Sequence, residues 1–129
     1  MKKNISAVIL AILLLLLEAL PLGAALHIPN ANDNHSVEFR SCFDLEPLID
    51  GNFAPFIVAV LSIVLFLLCI IYTFKQTKVL KKVTFFVACG AMLLSFCPLL
   101  YCMQCYSMTA CAIAFILFVH TMMFVEQAK

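Results

Sequence analysis

Four long apolar stretches divide this chain, separated by short polar segments. The first runs from Ile5 to Leu26 and is interrupted only by Glu18. The second, Ala54 to Phe74, and the third, Val83 to Tyr101, carry no charge. The fourth runs from Met108 to Val125, with His120 as its one basic or acidic side chain. About 20 apolar residues are needed for a helix to cross the roughly 30 Å hydrocarbon core of a bilayer. Hydrocarbon offers backbone amides no water, so runs of this length have to be helical. They are continuous rather than alternating, which excludes a transmembrane barrel. The pattern predicts an all-α protein, a four-helix transmembrane bundle. Residues 1–129 form a single integral membrane domain, with spans at about 5–26, 54–74, 83–101 and 108–125.

The longest polar segment is the loop 27–53. Its first part, Pro29-Asn30-Ala31-Asn32-Asp33-Asn34, is rich in turn formers. Its second part is amphipathic. Phe43, Leu45, Leu48, Ile49 and Phe53 suit a bilayer surface, while Asp44, Glu46 and Asp50 suit water. Pro55 falls in the first turn of the second span, where a missing N–H costs little. The N-terminus has a second reading. Lys2 and Lys3, an apolar stretch and the small residues Gly23 and Ala25 also fit a secretory signal cleaved after Ala25. The apolar stretch is long for a signal and contains Glu18, so an uncleaved anchor is the preferred expectation.

Composition agrees with a membrane address. The chain is 65% hydrophobic and 12% charged, against about 25% charged for a soluble domain. A net charge of +1 says little, but its distribution sets an orientation. Lys2, Lys3, Lys75, Lys78, Lys81, Lys82 and Lys129 fall on one side of the predicted layout, and only Arg40 falls on the other. The positive-inside rule makes the lysine side cytoplasmic, with both termini inside a plasma membrane and the acidic loop 27–53 outside. A lysine cluster beside a span is no nucleic-acid footprint, so no nucleic-acid partner is expected. The expected surroundings are the lipid bilayer, with a homo-oligomer or another membrane protein as partner.

Small residues mark the inward faces, because they let helix backbones approach in lipid. Ala7, Ala11 and Glu18 share one face. Ala59, Ser62, Phe66, Cys69 and Thr73 share another, and Ala88, Ala91, Ser95, Pro98 and Cys102 a third. A substrate path lined by small side chains is the functional alternative to plain packing. Two polar side chains stand out within the spans. If the first helix reaches Leu26, Glu18 lies about 12 Å below the outer boundary, at a cost of about 2.5–3.5 kcal/mol for a charge at the helix centre. It reads either as a proton- or cation-linked site or as a protonated, hydrogen-bonded carboxyl. His120 is the natural partner by type but lies some 6 Å deeper, so its expected role is structural, near the cytoplasmic boundary.

Seven cysteines are present. Cys69 and Cys89 lie within spans. Cys102-Met103-Gln104-Cys105 forms a CxxC in the outer turn, flanked by Cys97 and Cys111, with Cys42 in the facing loop. Three readings remain open. One is a thiol–disulfide relay between Cys102, Cys105 and Cys42, an arrangement similar to four-helix membrane oxidoreductases, although this facing loop holds one cysteine rather than a pair. Another is a soft-metal site built from Cys102, Cys105, Cys97, Met103 or Met108. The third is apolar filler or a static disulfide.

Phe43-Asp44-Leu45-Glu46-Pro47 followed by Gly51-Asn52-Phe53-Ala54-Pro55-Phe56 resembles a stretch in small, uncharacterised four-pass membrane proteins of Gram-positive bacteria. The resemblance implies a four-pass layout and a plasma-membrane address, and no activity. No catalytic, cofactor or metal motif is complete. The expected function is that of a non-enzymatic accessory or interaction subunit. The alternatives are a thiol–disulfide oxidoreductase and a small oligomeric transporter or channel built around Glu18.

Overall fold

The computed structural model describes residues 2–20, 24–29, 35–43, 54–97 and 108–128. It contains four helices: α1 (Lys2–Ala19), α2 (Ala54–Phe74), α3 (Lys78–Ser95) and α4 (Met108–Ala128). Two strands, β1 (Ala24–Pro29) and β2 (His35–Arg40), pair antiparallel between α1 and α2, with Ala24 opposite Arg40 and Pro29 opposite His35. The class is helical with four helices, as the sequence predicts, and the hairpin is a local addition in the first loop.

The first apolar run is not one helix. α1 stops at Ala19 and the chain re-enters regular structure as a strand at Ala24, which corrects the expected helix over 5–26. Pro21 supplies the reason: it disfavours helical geometry in the residue before it and brings no N–H to continue the ladder. The last turn tightens instead, with the Leu20 N–H donating to the Leu17 carbonyl at 3.3 Å. The loop expected over 27–53 carries hairpin arms on either side of its turn-rich stretch, and residues 30–34 of that stretch lie outside the described residues. Ser36-Val37-Glu38-Phe39-Arg40 alternates polar and apolar, a strand period, and the asparagine-rich residues 30–34 join the two arms.

α2 occupies the second run, Ala54 to Phe74. A three-residue turn, Lys75-Gln76-Thr77, follows. Thr77 caps α3, its hydroxyl accepting from the Leu80 N–H at 3.4 Å. This cap draws Lys78, Lys81 and Lys82 into the first turns, so the third helix begins five residues before the expected Val83. The end of that run, residues 98–101, lies outside the described residues. α4 begins at Met108 and continues past Val125 to Ala128. Among the described residues α2 and the Met108–Val125 part of α4 are long and apolar enough to cross a membrane, while the apolar part of α1, Asn4–Ala19, is shorter.

Each helix packs on its neighbours in sequence, and α4 closes the ring by packing on α1. The start of α1 meets the ends of α2 and α4, so the four run alternately up and down. The core is small-sided where backbones come close. Ala11, Ala59, Ala88 and Ala91 are fully buried, with Leu14, Leu65 and Leu117 filling the space between. The outer surface is apolar: Leu16 is 61% exposed, Phe86 70% and Phe115 65%. Polar side chains are drawn inward instead, with Glu18, Ser62, Thr84 and His120 fully buried. Thr84 and Thr121 return their hydroxyls to the carbonyl one turn back, on Leu80 and Leu117, both at 2.8 Å.

Ala91 gives a direct test of the close helix contacts. Ala91→Phe should lower stability by about 1–3 kcal/mol through overpacking, measured by denaturant titration in detergent, while Leu93→Ala on the exposed face should leave it unchanged. Equal stability of Ala91→Phe and wild type would remove the small-residue interface from the account.

Candidate functional site

The polar residues singled out in the sequence occupy two separate places in the ring. The first is at the end of α1. Glu18 lies one residue before α1 ends, so the depth expected from a helix reaching Leu26 is corrected: it is close to one end of the bundle, yet wholly buried. Its Oε1 is 2.7 Å from the Ser62 Oγ on α2, and that same Oγ is 2.9 Å from the Val58 carbonyl.

A serine hydroxyl has one proton. An ionised Glu18 and the Val58 carbonyl, both acceptors, would compete for it. A neutral carboxyl resolves the competition, because its own O–H donates to Ser62 and Ser62 donates onward to Val58. Oε2 has no partner. A bare carbonyl oxygen is far cheaper to bury than half of an unpaired carboxylate. Hydrogen-bond accounting therefore assigns the neutral acid to this geometry.

The backbone of Glu18 is also used. Its carbonyl is among those a helix end leaves without an internal partner, and it accepts from the Cys42 N–H at 3.1 Å and from the Ser41 hydroxyl at 3.0 Å. The Phe43 N–H in turn donates to Ser41 Oγ at 3.3 Å. The segment after β2 is thereby pinned over the end of α1. Cys42 is buried there, next to a cavity of about 20 Å³ lined by Pro55, Val58, Leu94, Ser95, Ala110 and Ile113. That space suits one water at most. Burial pushes the Cys42 thiol up to about 12. The thiolate is the reactive form, so a thiol held this high is a poor nucleophile at neutral pH.

The second place is at the opposite end. His120 Nε2 lies 3.1 Å from the Ala7 carbonyl and 3.6 Å from Cys69 Sγ. A carbonyl only accepts, so Nε2 carries the proton and the tautomer is settled. Nδ1 has no partner. The ring stacks on Phe124, with centroids 5.4 Å apart, and Phe124 meets Tyr72 edge-on at 5.9 Å. Ala7 carries only a methyl group, which leaves the imidazole room to reach its carbonyl. Glu18 stands eleven residues beyond Ala7 on α1, about 16 Å along the axis, so Glu18 and His120 do not form a pair.

Ser62 and Cys69 were both legible as inward-facing, but their partnership with Glu18 and His120 was not. The available signal was a small polar side chain on a neighbouring inward face at matching height. The CxxC, Cys102 and Cys105, lies outside the described residues, as do Met103 and most of the Phe43–Phe53 stretch. Among the described residues Cys42, Cys69, Cys89, Cys97 and Cys111 are free thiols, and no group of three or more His, Cys, Asp or Glu side chains is placed to hold a metal ion. No known protein family, curated protein or solved structure matches the chain.

The neutral Glu18 is open to spectroscopy. Infrared difference spectra of wild type against Glu18→Gln at neutral pH should show the carbonyl stretch of a protonated carboxylic acid, absent from the variant. Ser62→Ala should shift that band and cost about 1 kcal/mol, the scale of hydrogen bonds inside membrane bundles. A carboxylate band in its place would overturn the assignment.

Proposed function

We propose that this protein is a four-pass integral membrane protein that acts by contact, as a non-enzymatic accessory or interaction subunit of the plasma membrane, with both termini in the cytoplasm. The observation that carries the membrane part is the inverted surface: large apolar side chains outside, Glu18, Ser62, Thr84 and His120 inside. In water that arrangement would be penalised on both faces, and in lipid it is favoured on both. Helix length supports four passes. α2 and α4 have 21 residues each, a height of about 32 Å that matches a hydrocarbon core, and α1 and α3, with 18 residues including lysines in their first turns, pack beside them in the same ring.

The ring also supports an N-terminal helix that stays attached. Ala7, Leu14 and Glu18 of α1 are buried against the other helices, and α1 supplies partners for both Ser62 and His120. A cleaved signal would leave His120 and an entire inward face without them. The lysine asymmetry then sets the orientation. The contact-type reading is supported by the buried hydroxyls of Ser62, Thr84 and Thr121, all bonded within the bundle, and by the space beside Cys42, which is too small for a substrate. The thiol-relay reading is weakened by the buried, high-pKa Cys42. A transporter built on Glu18 is the second reading, favoured by the one unpartnered carboxyl oxygen, Oε2.

Layout is checked by single-cysteine labelling. In a cysteine-free background an impermeant maleimide on intact cells should reach positions 30 to 40 and not 76 to 80, and the purified chain should weigh in with Lys2 and Lys3 retained. Labelling at 76 to 80 would reverse the orientation, and a mature start at Leu26 would leave three passes.

Contact action is separated from transport by reconstitution. Proteoliposomes carrying an internal pH indicator should leak protons no faster than empty ones, and Glu18→Gln should change nothing. A proton or cation flux lost on Glu18→Gln would replace the accessory reading with the transporter.

A further inference from the structure

At the end of the bundle opposite Glu18, α1 and α2 leave a groove between them on the outer surface. It is lined by Ile5, Val8 and Ile9 from α1 and by Ile70, Thr73 and Phe74 from α2, with a volume of about 240 Å³. Five of these six residues are purely apolar. The one polar group, the Thr73 hydroxyl, is occupied by the Cys69 carbonyl at 2.9 Å. Phe74 forms an open wall, 83% exposed. The groove thus has the character of a slot for a hydrocarbon chain rather than for a polar solute.

Along the chain, lysines flank the lining residues on both helices. Lys2 precedes Ile5 and Ile9 by three and seven residues, which puts it at the head of the same stripe of α1. Lys75 follows Phe74 directly, its N–H still bonded to the Ile71 carbonyl at 2.8 Å, and Lys78 opens α3 three residues on. Lys2, Lys75 and Lys78 are exposed. By sequence, this end of the layout carries Lys2, Lys3, Lys75, Lys78, Lys81, Lys82 and Lys129 against Glu126 alone. An apolar slot closed by a cationic rim at the level of the lipid headgroups matches one kind of molecule in both its parts.

We propose that this groove is a binding site for an anionic phospholipid, with an acyl chain between Ile9 and Phe74 and the phosphate at Lys2, Lys75 and Lys78. The proposal rests on the membrane reading above. Lysines next to a bilayer surface each attract anionic lipid by about 1 kcal/mol, and a groove that seats one chain adds position to that general attraction. A zwitterionic lipid would fill the slot equally well and gain nothing from the rim, so the preference between the two headgroups is the signature of the site.

The chain contains no tryptophan, so Phe74→Trp installs a single fluorescent reporter on the groove wall, at a position too exposed to disturb packing. Phe115→Trp, on the outer face of α4, gives a reporter remote from the groove. Each is reconstituted in phosphatidylcholine vesicles containing either brominated phosphatidylglycerol or brominated phosphatidylcholine at equal mole fraction. The Phe74→Trp reporter should be quenched preferentially by the anionic lipid, and Phe115→Trp equally by both. Adding Lys2→Gln and Lys75→Gln should weaken the preference by about fivefold for each lysine removed, while quenching by brominated phosphatidylcholine persists and shows that the protein is still inserted. Equal quenching of the Phe74→Trp reporter by both lipids would overturn the site. So would a reporter there that neither lipid reaches while Phe115→Trp is quenched, because another protein surface would then cover the groove. Failure of both lipids to quench either reporter would instead overturn the membrane reading itself.

Discussion

A carboxyl group kept from water has to find its hydrogen bonds within the protein, and Glu18 finds them for three segments at once. Its side chain reaches Ser62 on α2, and Ser62 passes the bond on to its own helix. Its carbonyl, left open by the end of α1, takes the Cys42 N–H and the Ser41 hydroxyl. One residue therefore fixes the height of α1 against α2 and ties the loop after the hairpin to both. The cost of burying an acid is offset by neutrality and by these bonds, which is a structural use of a residue that by type alone suggests transport.

The opposite end is fastened by the mirror of this arrangement. There the side chain comes from the last helix and the backbone from the first: His120 donates to Ala7. The two fastenings lie about 16 Å apart along α1 and hold it by its start and its finish. Between them α1 buries Ala11 and Leu14, apolar side chains without directional bonds. Height and rotation of α1 are thus set by two polar contacts, and distance by the small residues.

Much of this was readable from the residues. The runs Ala54–Phe74 and Met108–Val125 became α2 and α4, because uninterrupted apolar sequence of that length admits one conformation. The inward faces were readable in large part: Ala7, Ala11 and Glu18, Ala59, Ser62 and Cys69, and Ala88, Ala91 and Ser95 are buried, while Phe66 and Thr73 are only partly so and Pro98 and Cys102 lie outside the described residues. The first run was misjudged because hydropathy does not register the backbone. Pro21 interrupts the helix, while Leu22 to Leu26 remain as apolar as what precedes them, so the composition continues across a change of conformation. The hairpin was missed for a related reason, since two six-residue arms are too short to outweigh the asparagine-rich stretch between them. Partnerships were illegible throughout. Ser62 and His120 could be placed on inward faces, but which neighbour each would meet depends on relative helix heights, and those are set by packing rather than by any local pattern.

The ring closes through α1 and α4, the first and last of the four helices, and the bond that fastens them joins Ala7 to His120. The short turn between α2 and α3 lets those two pair as soon as both exist, and Glu18 can meet Ser62 from then on. The start of α1 likewise meets the end of α2 early, but its side facing α4 has no such early partner. In a chain made from its N-terminus onward, that side of the first helix stays uncovered until the fourth arrives. Assembly order is thereby written into the geometry: three walls stand first, and the fourth is the door that shuts against the first.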